Sequence, residues 1–373
     1  MKRFSYAAVL FVIFTLAAAA VYPQGHKIKT FKVSSNGNLA VDNAYGDIII
    51  KTWEKNEVSV KYDQEEDEDE EAFAIKVSGN QVRVKSYSYN SSDVEITIPR
   101  RFNVEIRTGA GDIKVAGDLY GKLSGNTAGG DIKLGKLSGT IEFLTSGGDI
   151  SADELKGEIK IVTYGGDLRL SNIDGNGSVT TSGGDIKMNN IGKDVKVSTA
   201  GGNIYINSVN GKTALSSGGG DITVGYINGT ADIKTGGGNI KASGGKAFIT
   251  ASTGSGDIYM YKIDGAVKAS SGSGDMLLEL VNASQDSYIK TYNGTIKLFL
   301  PDNAKVTVEI KVRGFGNHYS YEYSDFITNE LKPTGKSVKK NNDNITATYT
   351  FNGGGKKIYL DTVNGDIEIK RLR

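Results

Sequence analysis

The middle of the chain consists of an 18-residue repeat, and this repeat limits the possible folds more than any other feature of the sequence. A Gly-Asp-Ile tripeptide, or a close variant of it, marks each repeat. The first interval between these acidic or amide residues is one residue longer than the eight equal intervals that follow it. The marker residues are Asp112, Asp131, Asp149, Asp167, Asp185, Asn203, Asp221, Asn239, Asp257 and Asp275. A fixed period of this length is typical of solenoid proteins.

Apolar residues within a repeat stand two positions apart. In the repeat that begins at Asp131, Ile132 and Leu134 form one such pair, and Ile141 and Phe143 form another. This spacing is the periodicity of a β-strand with one buried face, and the Gly and polar residues between the pairs predict bends and turns. A single repeat cannot bury its apolar face alone. The sequence therefore predicts an all-β fold: a parallel β-solenoid (β-helix or β-roll) of 18-residue coils stacked about 4.8 Å apart.

Two polar columns are expected to follow the Gly-rich turn of each coil. The first consists of hydroxyls that we expect to bond one another along the stack: Thr145, Thr163, Thr181, Thr199, Ser217, Thr235, Thr253 and Ser271. The second is the row of marker residues, which we interpret as a structural turn row. We expect each marker to form an Asx turn beside a glycine with positive φ. A calcium site is the alternative, although the glycine spacing differs from that of calcium-binding β-rolls.

A solenoid exposes strand edges at both ends, and these edges require caps. We expect β-rich caps at 21–107 and 301–373, the second with a last rung, around solenoid repeats at 108–300. The run from Asp63 to Glu71 has eight acidic residues out of nine. We interpret it as a solvated loop that leads into one helical turn at Glu71 to Ile75; a cation or cationic-partner site is the alternative.

Residues 1–20 have the composition of a secretory signal peptide. Lys2 and Arg3 precede an apolar run from Tyr6 to Ala20, which is shorter than the ~20 residues that span a bilayer. The chain contains no Cys, so we expect neither disulfides nor a lipoprotein anchor. The sequence therefore predicts an exported protein, periplasmic or secreted to the cell surface, with no membrane span after cleavage of residues 1–20.

No group of residues predicts catalysis. The 44 Lys and Arg balance 43 Asp and Glu, which argues against a nucleic-acid partner. The two histidines, His26 and His318, are far apart, and the carboxylates follow the repeat rather than forming a distinct pair. We therefore predict no catalytic, cofactor-binding or metal-binding residues and no enzyme activity. A polysaccharide-acting enzyme is the least favoured alternative.

The residues two positions after the markers suggest a basic and aromatic stripe. They include Lys114, Lys133, Arg169, Lys187 and Lys241, interrupted by Tyr205, Thr223 and Tyr259. Aromatic rings beside polar groups suit glycans, and lysines suit acidic polymers. The alternative is a solvated face on which tyrosine is favoured for its strand propensity.

Three motifs resemble a known group of proteins. They are the opening segment from Leu39 to Ile48 followed by Thr52-Trp53-Glu54, the serial Thr-x-Gly-Gly-Asp-Ile turns, and the closing segment from Thr362 to Ile367. The chain resembles a bacterial family of candidate adhesins of unknown function with toast-rack-like β-solenoid repeats. The resemblance implies a non-enzymatic cell-envelope or secreted scaffold that binds an unknown protein or glycan, without cofactors. A regulatory or envelope-stress sensor module that binds another envelope protein is the alternative.

Overall fold

The computed structural model describes residues 26–63, 73–87, 93–314, 322–341 and 344–373. Across these residues the backbone forms 30 β-strands and one short 3₁₀ helix, Tyr323–Asp325. No helix in these ranges is both long and apolar enough to cross a membrane. The predicted signal peptide at 1–20 lies outside the described residues.

The strands fall into three groups along the chain. The N-terminal strands are β1 (His26–Lys32), β2 (Gly37–Asn43), β3 (Ile48–Trp53), β4 (Glu57–Asp63), β5 (Phe73–Ser78), β6 (Gln81–Ser86), β7 (Val94–Pro99) and β8 (Phe102–Thr108). The repeat contains β9 (Ile113–Thr127), β10 (Ile132–Thr145), β11 (Ile150–Thr163), β12 (Leu168–Thr180), β13 (Ile186–Ile191), β14 (Val195–Thr199), β15 (Ile204–Val209), β16 (Lys212–Ser217), β17 (Ile222–Ile227), β18 (Thr230–Thr235), β19 (Ile240–Ala242), β20 (Phe248–Thr253), β21 (Ile258–Ser273), β22 (Met276–Ala283), β23 (Ser287–Asn293) and β24 (Ile296–Leu300). The C-terminal strands are β25 (Val306–Arg313), β26 (Ile327–Asn329), β27 (Gly335–Asn341), β28 (Asn344–Phe351), β29 (Lys356–Val363) and β30 (Ile367–Arg371).

Each repeat forms one coil of a parallel β-solenoid. Ile132 of β10 lies between Ile113 of β9 and Ile150 of β11, and this parallel register continues from coil to coil through the repeat. The predicted all-β, parallel β-solenoid with an 18-residue spacing is confirmed. The inward side chains of one coil, such as Ile132, Leu137 and Phe143, are at most 1% exposed. The hydrophobic core is therefore a set of columns inside the coils.

Each coil has two strand segments, so the molecule contains two stacks of strands. Stack 1 holds the segments that follow the marker residues; stack 2 holds the segments that end in the buried Thr or Ser. Stack 1 runs in space as β1, β4, β7, β3, β9 to β13, β15, β17, β19, β21, β22, β24, β30 and β26. Stack 2 runs as β5, β6, β2, β8 to β12, β14, β16, β18, β20, β21, β23, β29, β25, β28 and β27.

The N-terminal coils are not stacked in chain order. β2 pairs with both β6 and β8, and β3 pairs with both β7 and β9. The coil at 37–53 therefore lies between the coil at 81–99 and the coil that begins at Phe102. Leu39, for example, is opposite Val82 on one side and Val104 on the other. Parallel stacking thus continues to the N-terminal side of residue 108.

The C-terminal coils have a matching arrangement. β29 pairs with both β23 and β25, and β30 pairs with both β24 and β26. The coil at 356–371 therefore lies between the coil at 287–300 and the strands β25 and β26. It is the last of these elements in the chain but not the last in the stack. Ile358 is opposite Ser287 on one side and Val308 on the other. Parallel stacking thus also continues past residue 300.

Antiparallel strands close both ends of the solenoid. β1, β4 and β5 cover the N-terminal end, and β27 and β28 cover one stack at the C-terminal end. The predicted helical turn is wrong over Phe73 to Ile75, because these residues begin β5. Phe73 is buried and its ring stacks on Tyr62 at 3.8 Å, a long-range contact that the local sequence does not show. Residues 64–72, which hold most of the acidic run, lie outside the described residues.

Candidate functional site

From Thr127 to Thr253, the Thr or Ser that closes each stack 2 segment is buried and bonds two backbone groups, whereas Ser271 forms only the bond to a glycine carbonyl, that of Gly256. Thr163 Oγ1 donates to the carbonyl oxygen of Gly148 at 2.8 Å, one coil away, and accepts from the N–H of Gly166 at 3.1 Å. The same two bonds occur at Thr127, Thr145, Thr181, Thr199, Ser217, Thr235 and Thr253. The expectation that the hydroxyls bond one another is therefore wrong. Both of their bonds go to glycine backbone groups.

The marker residues form a continuous row in which each side chain caps the next coil. Asp131 Oδ1 accepts from the backbone N–H of Asp149 at 2.9 Å, and Asp149 Oδ1 accepts from that of Asp167 at 2.8 Å. All ten marker residues accept in this way, over distances of 2.7 to 2.9 Å. The interpretation as local Asx turns is wrong, because the donor lies on the next coil. Asn203 and Asn239 fit the row because an amide oxygen accepts as a carboxylate oxygen does.

Two further aspartates extend the row at its N-terminal end. The N–H of Asp47 donates to Asp93 Oδ1 at 2.9 Å, and the N–H of Asp112 donates to Asp47 Oδ1 at 2.7 Å. The sequence pattern did not identify Asp93, because the residue before it is serine rather than glycine. At the other end Thr295 donates its N–H to Asp275 Oδ1 at 2.8 Å but brings no carboxylate of its own.

The outer oxygens of Asp149, Asp167 and Asp257 also have hydrogen-bond partners. Arg169 donates to Asp149 Oδ2 at 2.7 Å and to Asp167 Oδ2 at 2.8 Å. The N–H of Asp167, and then Arg169, hold the pKa of Asp149 below its ordinary value. The hydroxyl of Tyr259 donates to Asp257 Oδ2 at 2.8 Å, and this bond, with partial burial, raises the pKa of Tyr259 to about 12. Donors on the coils therefore offset the repulsion between stacked carboxylates.

Close stacking explains the glycine that precedes each marker residue. A Cβ on Gly148 would lie 2.1 Å from the carbonyl oxygen of Gly130 on the preceding coil. Gly148 does not have a positive φ, so the expectation of a left-handed glycine at this position is wrong. The turn requires glycine because two backbones approach each other here.

An open cleft of about 680 Å³ lies on stack 2 near the N-terminal end. Its charged lining includes Arg83, Glu105 and Glu142. Glu105 forms an ion pair with Arg107, and Glu142 forms one with Lys160 at 2.6 Å. Exposed pairs of this kind are typical of a solvated surface. No group of His, Cys, Asp or Glu side chains in the described ranges is arranged to hold a metal ion. His318 lies outside those ranges.

The predicted basic and aromatic stripe follows one line along stack 1. Lys187 is opposite Arg169 on one side and Tyr205 on the other, and the same register leads on to Lys241 and Tyr259. Arg169 and Tyr259 are bonded to the acidic row. These two members of the stripe therefore support the solenoid rather than only facing solvent.

The stacked coils, the hydroxyl column and the capped acidic row define a parallel β-solenoid protein whose outer surface consists of repeated strand faces. The chain belongs to the Toastrack DUF4097 family, whose profile matches residues 36–210 and 192–370. The two matches together span almost all of the described chain. The family resemblance predicted from the sequence motifs is confirmed.

Solved structures of low sequence identity are similar over most of the chain. A candidate cell adhesion protein from Clostridium sporogenes is 12% identical, covers 93% of this chain and 99% of its own, and has a TM-score of 0.18. A candidate adhesin from Bacteroides fragilis is 13% identical, covers 94% and 98%, and has a TM-score of 0.21. A candidate adhesin from Parabacteroides distasonis is 11% identical, covers 93% and 97%, and has a TM-score of 0.22. No curated protein matches the sequence. Structural similarity at these TM-scores does not support a conclusion about function.

Proposed function

We propose that this protein is a non-enzymatic scaffold of the cell envelope or the secreted fraction, which binds an envelope protein or a glycan through its outer strand faces. The acidic row carries this proposal. Every marker side chain in the row accepts a backbone N–H of the next coil. Groups already engaged in holding coils together are structural. The outward side chains of the two stacks are the surface left for recognition.

Export by a cleaved signal peptide at 1–20 is part of the same proposal. A basic start followed by a short apolar run supports it. The absence of Cys from the sequence supports export without a lipid anchor. The predicted cap regions at 21–107 and 301–373 would then supply the end coils and the antiparallel strands that close the solenoid, which presents its outer faces outside the cytoplasm.

Cell fractionation with intact mass measurement tests the export step. We expect the exported chain to begin at Val21, and we expect crosslinking on intact cells to join it to surface material. Retention of the uncleaved chain in the cytoplasm would contradict the proposal. So would release of reducing sugar ends from an envelope polysaccharide by the purified protein.

The alternative is a sensor module that binds one envelope protein. Crosslinking separates the two roles, because a sensor would stay in the periplasm and yield a single protein partner. A scaffold on the surface would instead yield glycan or several surface components. The family assignment is compatible with both roles, since it establishes the fold and no reaction.

A further inference from the structure

Two outward columns of stack 2 carry no aromatic side chain through eight consecutive coils, although Phe248 is exposed at the start of a stack 2 segment outside these columns. One column is Glu142, Lys160, Ser178, Lys196, Ala214, Asp232, Thr250 and Lys268, and the other is Leu144, Val162, Thr180, Ser198, Ser216, Lys234, Ser252 and Ser270. If strand propensity alone favoured tyrosine on this molecule, tyrosines would be scattered along these columns. An aromatic cluster that departs from the repeat therefore requires another explanation.

Such a cluster occurs where the C-terminal coil is inserted. Tyr288 of β23 is directly opposite Tyr359 of β29, and the two rings stack with centroids 4.6 Å apart and planes within 6°. This separation matches the spacing of adjacent strands, so the rings stack along the solenoid axis. The face of Tyr288 that points away from Tyr359 is on the side of Lys268, its neighbour on the preceding coil, and the Lys268 ammonium group does not lie over the ring. Tyr288 is 48% exposed, and nearby Tyr292 is 51% exposed.

Cations outnumber anions around these rings. Glu309 pairs with Lys357 at 2.8 Å, and Asp361 pairs with Arg313 at 2.7 Å, so each of these anions is neutralised. Asp286 is a third anion nearby, and it accepts the backbone N–H of Lys357. Three further cations lie near the rings: Lys268, Lys290 and Lys311. Among the described residues none of the three has a carboxylate within ion-pair distance.

Lys290 also contacts the aromatic group directly. Its Nζ lies 4.7 Å from the centre of the Tyr292 ring and 3.3 Å from the Tyr292 hydroxyl. We call Lys268, Tyr288, Lys290, Tyr292 and Tyr359 the tyrosine–lysine platform. It combines flat apolar ring faces, hydroxyl groups and an excess of positive charge.

We infer that the tyrosine–lysine platform binds an anionic polysaccharide, an inference that rests on the proposed scaffold function. The C–H face of a sugar ring packs on an aromatic face, because its hydrogens carry partial positive charge and the ring face is negative. Tyr288, which is about half exposed, offers this surface on the face that points away from Tyr359. Lys268 and Lys290, on neighbouring coils, are placed to meet carboxylate or phosphate groups on the same chain of sugars.

The charges and the shape argue against the other classes of ligand. An apolar protein or lipid surface would leave the lysines without counter-charges, and a neutral glycan would use the rings but not the lysines. A polymer can also follow a flat face without a deep pocket. Its charge and stacking contributions should be separable by mutation and by salt.

Binding of the full-length exported protein to two anionic polymers tests the inference. The probes are polygalacturonate, which carries carboxylates, and a phosphate-bearing mannan, with dextran as the neutral control. We expect at least one anionic polymer to bind, dextran not to bind, and the affinity to fall as ionic strength rises. Tyr288→Ala should weaken binding about fivefold to tenfold, and Lys268→Gln with Lys290→Gln should weaken it and reduce its dependence on salt.

Two matched control variants test whether binding depends on the platform rather than on any exposed tyrosine or lysine. Tyr226→Ala removes an exposed tyrosine from stack 1 outside the stripe, and Lys196→Gln removes a lysine from the first outward column of stack 2. Both should bind as the unchanged protein does. Equal melting temperatures across the variants exclude loss of folding, and Tyr288→Phe, which keeps the ring, should bind nearly normally.

Several outcomes would overturn the inference. Failure to bind either anionic polymer would do so, and so would equal weakening by Tyr226→Ala and Tyr288→Ala. Capture of an acidic protein that depends on Tyr288 would show the wrong ligand class. If an envelope partner binds equally well to every platform variant, the inference about the platform is wrong, whereas the proposed scaffold function still holds.

Discussion

The hydroxyl of Thr163 donates a hydrogen bond of 2.8 Å to the carbonyl oxygen of Gly148, one coil away. The hydroxyl oxygen in turn accepts the N–H of Gly166, and the Thr163 side chain is fully buried. A buried backbone group without a partner costs free energy, and the tight turn takes these groups out of the strand ladder. From Thr127 to Thr253, the hydroxyl column therefore supplies the hydrogen-bond partners that these turn backbone groups would otherwise take from water.

Thr163→Val should lower the free energy of unfolding by about 2–4 kcal/mol, because it leaves two buried backbone groups without partners at nearly constant volume. Thr163→Ser keeps the hydroxyl and should cost about 1 kcal/mol for the lost methyl group. Urea denaturation followed by circular dichroism measures both. Equal effects of the two substitutions would show that packing, and not the hydroxyl, stabilises the turn.

Gly148→Ala should destabilise the solenoid by about 2–3 kcal/mol, because the new Cβ would lie 2.1 Å from the Gly130 carbonyl oxygen. The adjacent Gly147 is a matched control. A Cβ there would lie 3.7 Å from its nearest neighbour, so Gly147→Ala should change stability by less than about 0.5 kcal/mol. Thermal melting of both variants checks the prediction. A Gly148→Ala protein as stable as its neighbour would show that the coils can move apart at little cost.

The acidic row predicts loss of stability in acid. The pKa of Asp149 is lowered from its ordinary value of 3.8 by the N–H of Asp167 and by Arg169. A depressed carboxyl pKa stabilises the fold above the unfolded pKa, and this contribution is lost as pH falls through the folded value. The midpoint of urea unfolding should therefore fall below about pH 4. Arg169→Gln should make this fall shallower; an unchanged profile would mean that Arg169 contributes nothing to it.

Lysines on the end strands should prevent the rods from joining end to end. In the described part of the chain β1 pairs only with β4, and β27 pairs only with β28, so each presents an edge. β27 carries Lys339 and Lys340, and charged edge strands resist pairing with another copy. Replacing both with threonine should produce association that grows with protein concentration.

Sedimentation velocity over a concentration series measures that association. The control is Lys187→Thr with Lys196→Thr, which removes the same charge from the middle of the rod. Association by the control to the same extent would point to net charge rather than to the strand edge. A β27 variant that sediments as the unchanged protein does would contradict the prediction outright.

The repeated coil could be predicted from sequence because its information is local. Alternation by two shows which side chains face inward, as at Ile132 and Leu134, and the 18-residue period shows that one coil lies on the next. The position of each marker residue at a turn follows from the same pattern. These features require no knowledge of which distant strands are neighbours.

The polar bonds within the turns were harder to predict. The sequence placed Asp131 and Thr145 at a turn, but a hydrogen bond to the next coil and a local bond have the same sequence signature. The structure decides between them, because the donor to Asp131 is the N–H of Asp149 on the following coil. The glycine before each marker likewise reflects contact between two coils.

Only the tertiary structure decided the order of the coils at the two ends. It inserts the coil at 37–53 between two later coils, which brings Asp93 into the acidic row. It also inserts the coil at 356–371 beside β23, which stacks Tyr359 on Tyr288 although the two residues are far apart in the sequence. Strand periodicity determines which face of a strand is buried but not which strand lies beside it. That choice depends on packing between segments that are distant along the chain.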